Sequence, residues 1–310
     1  MIARITRTLL LLQFLVAATI GLAGAKVLGA GFWTASICGV GTVVLLRLLI
    51  NVNNFYQSWR YKSVTPADYK LNVLQALKLF NGEFSASMIS SSWTMPFHTF
   101  DKRIARRPAA LPVLLVHGYG CNSGYWHSMS KAMSRANISH YAIDMEPVIG
   151  SIDAYASVIH RAVERICSET GSDKLVIVAH SMGGLASRVY LRDHGDRRVA
   201  RIITLGTPHR GTGLANFGVG LNCEQMRWTG DGLEGVCSEW LQALEASEDV
   251  DSYRAFVSIF SHHDNIVAPQ TSSRLAGAPN IELSGVGHVA LAMHPKVQSI
   301  VIDEVLKAPR

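Results

Sequence analysis

The sequence predicts an α/β chain with a doubly wound, mostly parallel sheet, preceded by two transmembrane helices. Three observations carry that expectation. From Leu111 to the C-terminus, short β-branched runs alternate with helical apolar periods, the rhythm of a parallel sheet covered on both faces. One of those runs, Leu175-Val176-Ile177-Val178-Ala179, breaks at His180-Ser181-Met182-Gly183-Gly184, a strand-to-helix junction with a serine at the corner. Ahead of all this lie two stretches without a single charge, each near the roughly 20 apolar residues that span a bilayer. At 310 residues and 48% hydrophobic, the chain has enough for one large core and something extra.

The uncharged stretches are Thr8 to Ala25 and Val27 to Leu46. Lys26 with Gly24, Gly29 and Gly31 marks a tight turn between them, so residues 1–50 read as a transmembrane hairpin. Arg47 is placed to snorkel to the headgroups, and Asn51, Asn53, Asn54, Tyr56 and Trp59 suit the interface. The rival reading is a cleaved signal peptide, because Ala23-Gly24-Ala25 resembles a processing site; the second stretch would then remain as an anchor.

Charge placement supports the hairpin and sets its orientation. No acidic residue precedes Asp68, and Arg4, Arg7, Lys26, Arg47, Arg60 and Lys62 account for the whole net charge of +6. The basic excess is therefore a membrane flank, which excludes nucleic acid as a partner. With only Lys26 in the turn, the positive-inside rule puts both ends and the large domain on the cytoplasmic side. Five scattered cysteines form no disulfide framework and no zinc spacing; Cys223 and Cys237 could pair across a loop or stand as two free thiols. Such a bridge would argue for the opposite side.

Residues 51–110 read as a juxtamembrane helix and linker. Thr65-Pro66-Ala67-Asp68 has the pattern of a helix start, with Leu71, Leu74, Leu77 and Phe80 following at helical spacing. The charged stretch from Lys102 to Arg107 reads as linker. Within 111–310, strands are expected at Pro112–Val116, Tyr141–Ile143, the serine junction, Val199–Leu205, Ala255–Phe260 and Ile281–Leu283. Helices are expected from Ile152 to Cys167 and from about Val297 to Leu306.

The serine junction has the form of a nucleophile elbow, a turn that lifts Ser181 Oγ clear of the backbone at a helix N-terminus. A serine needs a base to act near neutral pH, and the base needs an orienting carboxylate. Both follow in chain order at the ends of later strands: Asp264 after the Phe260 strand, and His288 in Gly285-Val286-Gly287-His288 after Leu283. Two backbone donors for an oxyanion are expected at Met182, directly after the nucleophile, and at Tyr119 in His117-Gly118-Tyr119-Gly120. His262 and His263 have no partner cluster for a metal. His180 reads as a packing or loop-orienting residue, and His209 as a loop-shaping one that could border the pocket.

Together these segments resemble the α/β-hydrolase superfamily, most closely its bacterial lipase and esterase branch. The residues that carry the resemblance are His117-Gly118-Tyr119-Gly120, Ala179-His180-Ser181-Met182-Gly183-Gly184, Leu205-Gly206-Thr207-Pro208-His209-Arg210-Gly211, Asp264-Asn265-Ile266-Val267 and Gly287-His288. The elbow is itself similar to that of small Bacillus-type lipases, and the resemblance extends from about Leu111 to the C-terminus. It implies hydrolysis of carboxylic esters through an acyl-enzyme, with Ser181 as nucleophile, His288 as base and Asp264 as its orienting acid. Tyr119 and Met182 amides would hold the oxyanion. It implies no cofactor and no metal; no separate carboxylate pair is present for the structural calcium that some lipases of this branch carry.

A long insertion at about 213–252 interrupts the strand–helix rhythm where that branch places its substrate cap. Phe217, Leu221, Met226, Trp228, Trp240 and Leu241 would line a partly helical lid facing a hydrophobic acyl chain. The alternative is an extra helix packed on the domain. The expected partners are a lipid or other hydrophobic ester substrate and the bilayer. An acyltransferase or thioesterase would use the same residues, and a non-catalytic membrane scaffold is the third reading.

Overall fold

The computed structural model describes residues 1–230, 234–248 and 250–309. It opens with two long helices, α1 (Ile2–Leu28) and α2 (Phe32–Arg60), joined by three residues. Gly29 closes α1 at φ 64°, in the left-handed region that glycine enters without strain. Small residues let the two backbones touch: a Cβ on Gly39 would meet the Ala17 carbonyl at 2.1 Å, and one on Gly21 the Ala35 carbonyl at 3.0 Å. The remaining faces are apolar and bare, with Phe14 69% and Trp33 76% exposed. Both helices are long and apolar enough to cross a membrane, and each runs beyond the stretch expected from its uncharged residues.

Residues 61–101 depart from expectation. Ala67–Tyr69 is a single 3-10 turn, and the helix α3 begins only at Val73 and runs to Ile89. Its start is set by Asn72, which forms a reciprocal capping box with Gln75. The buried stripe of α3 is Leu79, Glu83 and Ala86, whereas Leu74 and Leu77 face outward. A π-helical turn (Ser90–Thr94) leads into the short α4 (Met95–Phe97). The Arg47 guanidinium donates to Gln13 Oε1 (3.0 Å), Ser91 Oγ (3.1 Å) and Ser92 Oγ (2.6 Å). Polar groups on α1 and on the turn after α3 thus satisfy the cation.

The sheet begins inside the expected linker. Strand β1 (Lys102–Arg103) pairs antiparallel with β3 (His140–Ile143), and the other neighbours in the order β1-β3-β2-β4-β5-β8-β9 are all parallel. These are β2 (Val113–Val116), β4 (Leu175–His180), β5 (Val199–Leu205), β8 (Phe256–Ser261) and β9 (Asn280–Leu283), with a separate ribbon of β6 (Trp228–Thr229) and β7 (Val236–Cys237). Helices α5 (His127–Arg135) and α10 (Pro295–Leu306) contribute to the core on one face. Helices α6 (Ile152–Thr170), α7 (Met182–His194) and α9 (Glu239–Ser247) contribute on the other, and the short α8 (Leu221–Gln225) lies with them.

Burial on both faces explains why β2 and β4 read as unbroken apolar runs. Alternate residues enter opposite cores: Leu114, Val116, Ile177 and Ala179 face the α6–α7 side, and Val113, Leu115, Val176 and Val178 the α5–α10 side. The chain passes from β2 to β3 on one side and then returns to β4 on the other. The strand order therefore reverses at β2, and a crevice opens at the carboxyl ends of β2 and β4.

Candidate active site

Ser181 stands in that crevice, between β4 and α7, with φ 55° and ψ −128°. A non-glycine residue in that region is strained, and the surrounding contacts hold it there. Its N–H donates to the Leu205 carbonyl (2.9 Å), and its own carbonyl accepts from Thr207 Oγ1 (2.9 Å). The turn is tight enough to require small neighbours. A Cβ at Gly183 would lie 2.5 Å from the Val116 carbonyl, and one at Gly118 would lie 2.8 Å from Ser181 Cβ.

The loop after β2 is therefore pressed against the serine, as the two expected oxyanion donors require. Gly118 accepts from the Cys121 N–H (3.3 Å) in a turn that places Gly120 at φ 66°. Met182 is the first residue of α7, so its N–H lies ahead of the helix's own hydrogen-bond ladder. His117 fixes this loop from behind. Its Nε2 accepts from the Met145 N–H (3.0 Å), so the proton is on Nδ1, which donates to the Gly118 carbonyl (2.8 Å). Burial pushes the His117 pKa down, consistent with this neutral tautomer.

Asp264 and His288, 24 residues apart on the loops after β8 and β9, meet at 2.7 Å between Oδ2 and Nδ1. A carboxylate only accepts, so Nδ1 carries the proton and Nε2 is left with its lone pair. The other Asp264 oxygen accepts from the Ile266 (2.8 Å) and Val267 (2.7 Å) N–H groups. Burial alone would lower the His288 pKa. The charge and hydrogen bond of Asp264 outweigh it, with Glu83 adding to them, and the net shift is upward.

His180 ties this pair to the elbow. Its Nε2 donates to the His288 carbonyl (3.2 Å), and its ring lies 4.5 Å from those of both His288 and Tyr125. Burial and the neighbouring His288 charge hold its pKa well below the usual range, so it orients the loop as a neutral ring. Gly206, at φ 55°, makes room beneath: a Cβ there would sit 3.0 Å from Asp264 Oδ2 and 3.3 Å from His288 Nδ1.

Several residues that hold the site were not apparent from sequence. Ser58 at the end of α2 donates to the Asp264 carbonyl (2.8 Å), and Gln270 Nε2 donates to the same oxygen (3.0 Å). The His288 N–H donates to Asn265 Oδ1 (3.0 Å). Glu83 on α3, almost fully buried, accepts from the Val289 and Ala290 N–H groups at 3.0 Å each, immediately after His288. Burial pushes its carboxyl pKa up, and those two N–H bonds partly oppose the rise. The available signal was a glutamate in step with Leu79 and Ala86, where a solvated face would not put it.

A cavity of about 480 Å³ opens on Ser181 and Tyr119. Of the six residues expected in the lid, Phe217 and Met226 line it, together with Leu214, Ala215 and Cys223. The others do not. Leu221 is half exposed, Leu241 is buried in the core, and the Trp240 indole N–H donates to Asp153 Oδ2 (2.7 Å). Trp228 lines a separate cavity beside Arg188 and His209. The insertion is thus half cavity wall and half packed domain, because Leu241 and Leu244 give α9 an apolar face that the core takes up. Its residues 231–233 and 249 lie outside those described.

His209 accordingly borders that second cavity rather than the one at Ser181, and His262 pairs with Glu282 Oε2 (2.7 Å). Cys223 and Cys237 are both free thiols. Among the described residues, no group of three or more His, Cys, Asp or Glu side chains could hold a metal ion.

A family model described as the alpha/beta hydrolase fold matches residues 112–230, which include Tyr119, Ser181 and Met182. Triacylglycerol lipases of Pseudarthrobacter phenanthrenivorans and Burkholderia plantarii are each 30% identical over 119 residues, 34% of this chain. Those residues are 35% and 32% of the two lipases, so the chain spans about a third of the length of the curated relatives it matches. Among solved structures, the mature Bacillus licheniformis lipase BlEst2 aligns with TM-score 0.53 and 19% identity, covering 67% of this chain and 97% of that one. Aspergillus fumigatus lipase B aligns with TM-score 0.58 and 13% identity, covering 93% of this chain and 85% of that one. The chain has the α/β-hydrolase fold, and over about a third of its length it is distantly similar to triacylglycerol lipases.

Proposed function

We propose that this protein is a membrane-anchored serine hydrolase that cleaves carboxylic esters of hydrophobic acyl chains. The observation that carries the reading is the 2.7 Å Asp264–His288 bond beside a serine held at φ 55° on a strand-to-helix elbow. Ser181 Oγ adds to the ester carbonyl as His288 Nε2 takes its proton. The oxyanion is held by the Tyr119 and Met182 N–H groups. As the intermediate collapses, His288 returns the proton to the departing alcohol and leaves an acyl-Ser181 ester. Water then gives its proton to His288, attacks the acyl carbon and releases the carboxylic acid, and Ser181 recovers its proton. Asp264 holds the imidazole tautomer throughout and stabilises the imidazolium.

An acyl chain suits the cavity because Leu214, Phe217, Met226, Ile266 and Val267 are among its lining. The test is hydrolysis of p-nitrophenyl esters of graded acyl length by the detergent-solubilised full chain and its Ser181→Ala variant. Activity that rises with chain length and disappears in the variant is expected. Equal inactivity of both, with Ser181 unlabelled by a fluorophosphonate, would leave the scaffold reading instead.

Membrane anchoring rests on the length and composition of α1 and α2 and on their bare apolar faces. The protein should remain in the membrane pellet after alkaline carbonate extraction. The basic residues at the two hairpin ends favour a cytoplasmic catalytic domain. Protease added to sealed right-side-out vesicles should then leave that domain intact.

A further inference from the structure

The wall of the Ser181 cavity is not supplied by the hydrolase sheet and its loops alone. Asn53, Asn54 and Gln57, all on α2, line it opposite an otherwise largely apolar set. Gln57 lies four residues after Asn53 and three after Asn54, so it neighbours both on the helix surface. Gln57 Oε1 is buried without a hydrogen-bond partner among the described residues. None of the residues that line the cavity carries a formal charge.

The position of these amides along α2 is equally specific. Counting roughly 20 residues of bilayer-spanning helix from Phe32 reaches Asn51, so the three amides fall just past the hydrocarbon edge. This is the depth at which the hydroxyl and ester groups of an amphiphile lie while its acyl chain stays apolar. From the same turn of α2, Ser58 bonds the Asp264 carbonyl. One helix therefore reaches both the candidate catalytic acid and the substrate space.

We infer that α2 is a substrate-binding element, its Asn53, Asn54 and Gln57 amides forming a polar subsite for an uncharged, hydroxyl-bearing part of an amphiphilic ester. The inference rests on the serine-hydrolase reading and adds the residues that set alcohol-side specificity. The apolar wall takes the acyl chain. Hydroxyls of the alcohol moiety exchange hydrogen bonds with the three side-chain amides. A charged headgroup is disfavoured because nothing in the cavity neutralises it.

The experiment compares three esters of one acyl chain on the full chain in detergent micelles: 1-octanoylglycerol, ethyl octanoate and 1-octanoylglycerol 3-phosphate. The expected order of kcat/KM puts the glycerol ester at least about tenfold above each of the others. Gln57→Leu and Asn54→Leu should each shrink the glycerol-over-ethyl ratio by about fivefold or more, chiefly through KM for the glycerol ester. Because the ratio is taken within one preparation, partial loss of folded protein cancels. Equal rates on the glycerol and ethyl esters by the wild type, or an unchanged ratio in both variants, would overturn the subsite. Ready cleavage of the phosphate ester would overturn the exclusion of charge. Fluorophosphonate labelling of wild-type Ser181 reports separately on the serine-hydrolase reading, so failure of one is not mistaken for failure of the other.

Discussion

The hydroxyl of Ser58 donates to the backbone carbonyl of Asp264 at 2.8 Å, joining the last turn of α2 to the loop of the candidate catalytic acid. Gln270 bonds both partners, with Nε2 at 3.0 Å from each oxygen. The N-terminal hairpin is therefore built into the site rather than tethered to it. Ser58→Ala should cost about 1 kcal/mol, because the Asp264 carbonyl keeps its Gln270 bond. The Ser58→Ala/Gln270→Ala pair leaves that carbonyl bare and should lower both Tm and kcat by more than the two single effects combined. A double-mutant cycle on thermal unfolding and ester hydrolysis checks this.

Glu83 makes the corresponding contact on the base side. Glu83→Gln leaves one of the Val289 and Ala290 N–H groups facing an amide N–H₂, a loss of about 1–3 kcal/mol in stability. Its charge also helps raise the His288 pKa, so its removal should move the acid limb of the kcat/KM profile to lower pH. A variant that loses stability while its acid limb stays in place would mean that Glu83 acts through packing alone.

His288 must be neutral to take a proton, and its pKa is raised in the folded protein. Activity should therefore fall as pH drops through a value above the ordinary imidazole pKa. Asp264→Asn removes the carboxylate that outweighs burial, so the acid limb should shift downward. The maximal rate should drop by about 10⁴-fold as the tautomer is lost. Titration of kcat/KM with a short-chain ester reads both effects.

Gly206 is a narrow test of geometry. Alanine there is strained at φ 55°, and its Cβ would press on Leu291, Asp264 and His288, so a fall in kcat of about 10²-fold is expected. Gly82 in α3 has open space within 4 Å, and Gly82→Ala should instead raise Tm slightly through helix propensity. Equal behaviour of the two variants would remove the argument that Gly206 spaces the acid–base pair.

Arg188 on α7 is buried and pairs with Glu248 just past α9, while its Nη1 donates to the His209 carbonyl (3.0 Å). Glu248→Ala leaves an uncompensated guanidinium in the core and should cost about 3–5 kcal/mol. Loss of both charges in Arg188→Met/Glu248→Leu should cost distinctly less. Thermal melts of the three proteins decide between a required ion pair and a replaceable one.

The sequence by itself determined the parallel strands of the sheet, the serine elbow and the chain order of Ser181, Asp264 and His288. Each is written locally: β2 and β4 as continuous apolar runs because both faces are buried, the elbow in Gly183 and Gly184, and the acid and base just after β8 and β9. The long uncharged runs announced α1 and α2 for the same reason, since composition over about 20 residues is a local property. Only the tertiary structure decided what residues 51–110 do. Ser58 and Gln57 are ordinary polar residues on a helix whose neighbours do not say which will be buried, and Glu83 is marked only by its step with Leu79 and Ala86. Their roles arise from docking across some 200 residues of chain, where a hydroxyl meets a loop carbonyl and a carboxylate meets two free N–H groups. The same holds for the insertion. Its apolar residues were legible, but whether Trp240 or Phe217 faced the cavity depended on which side the core claimed first.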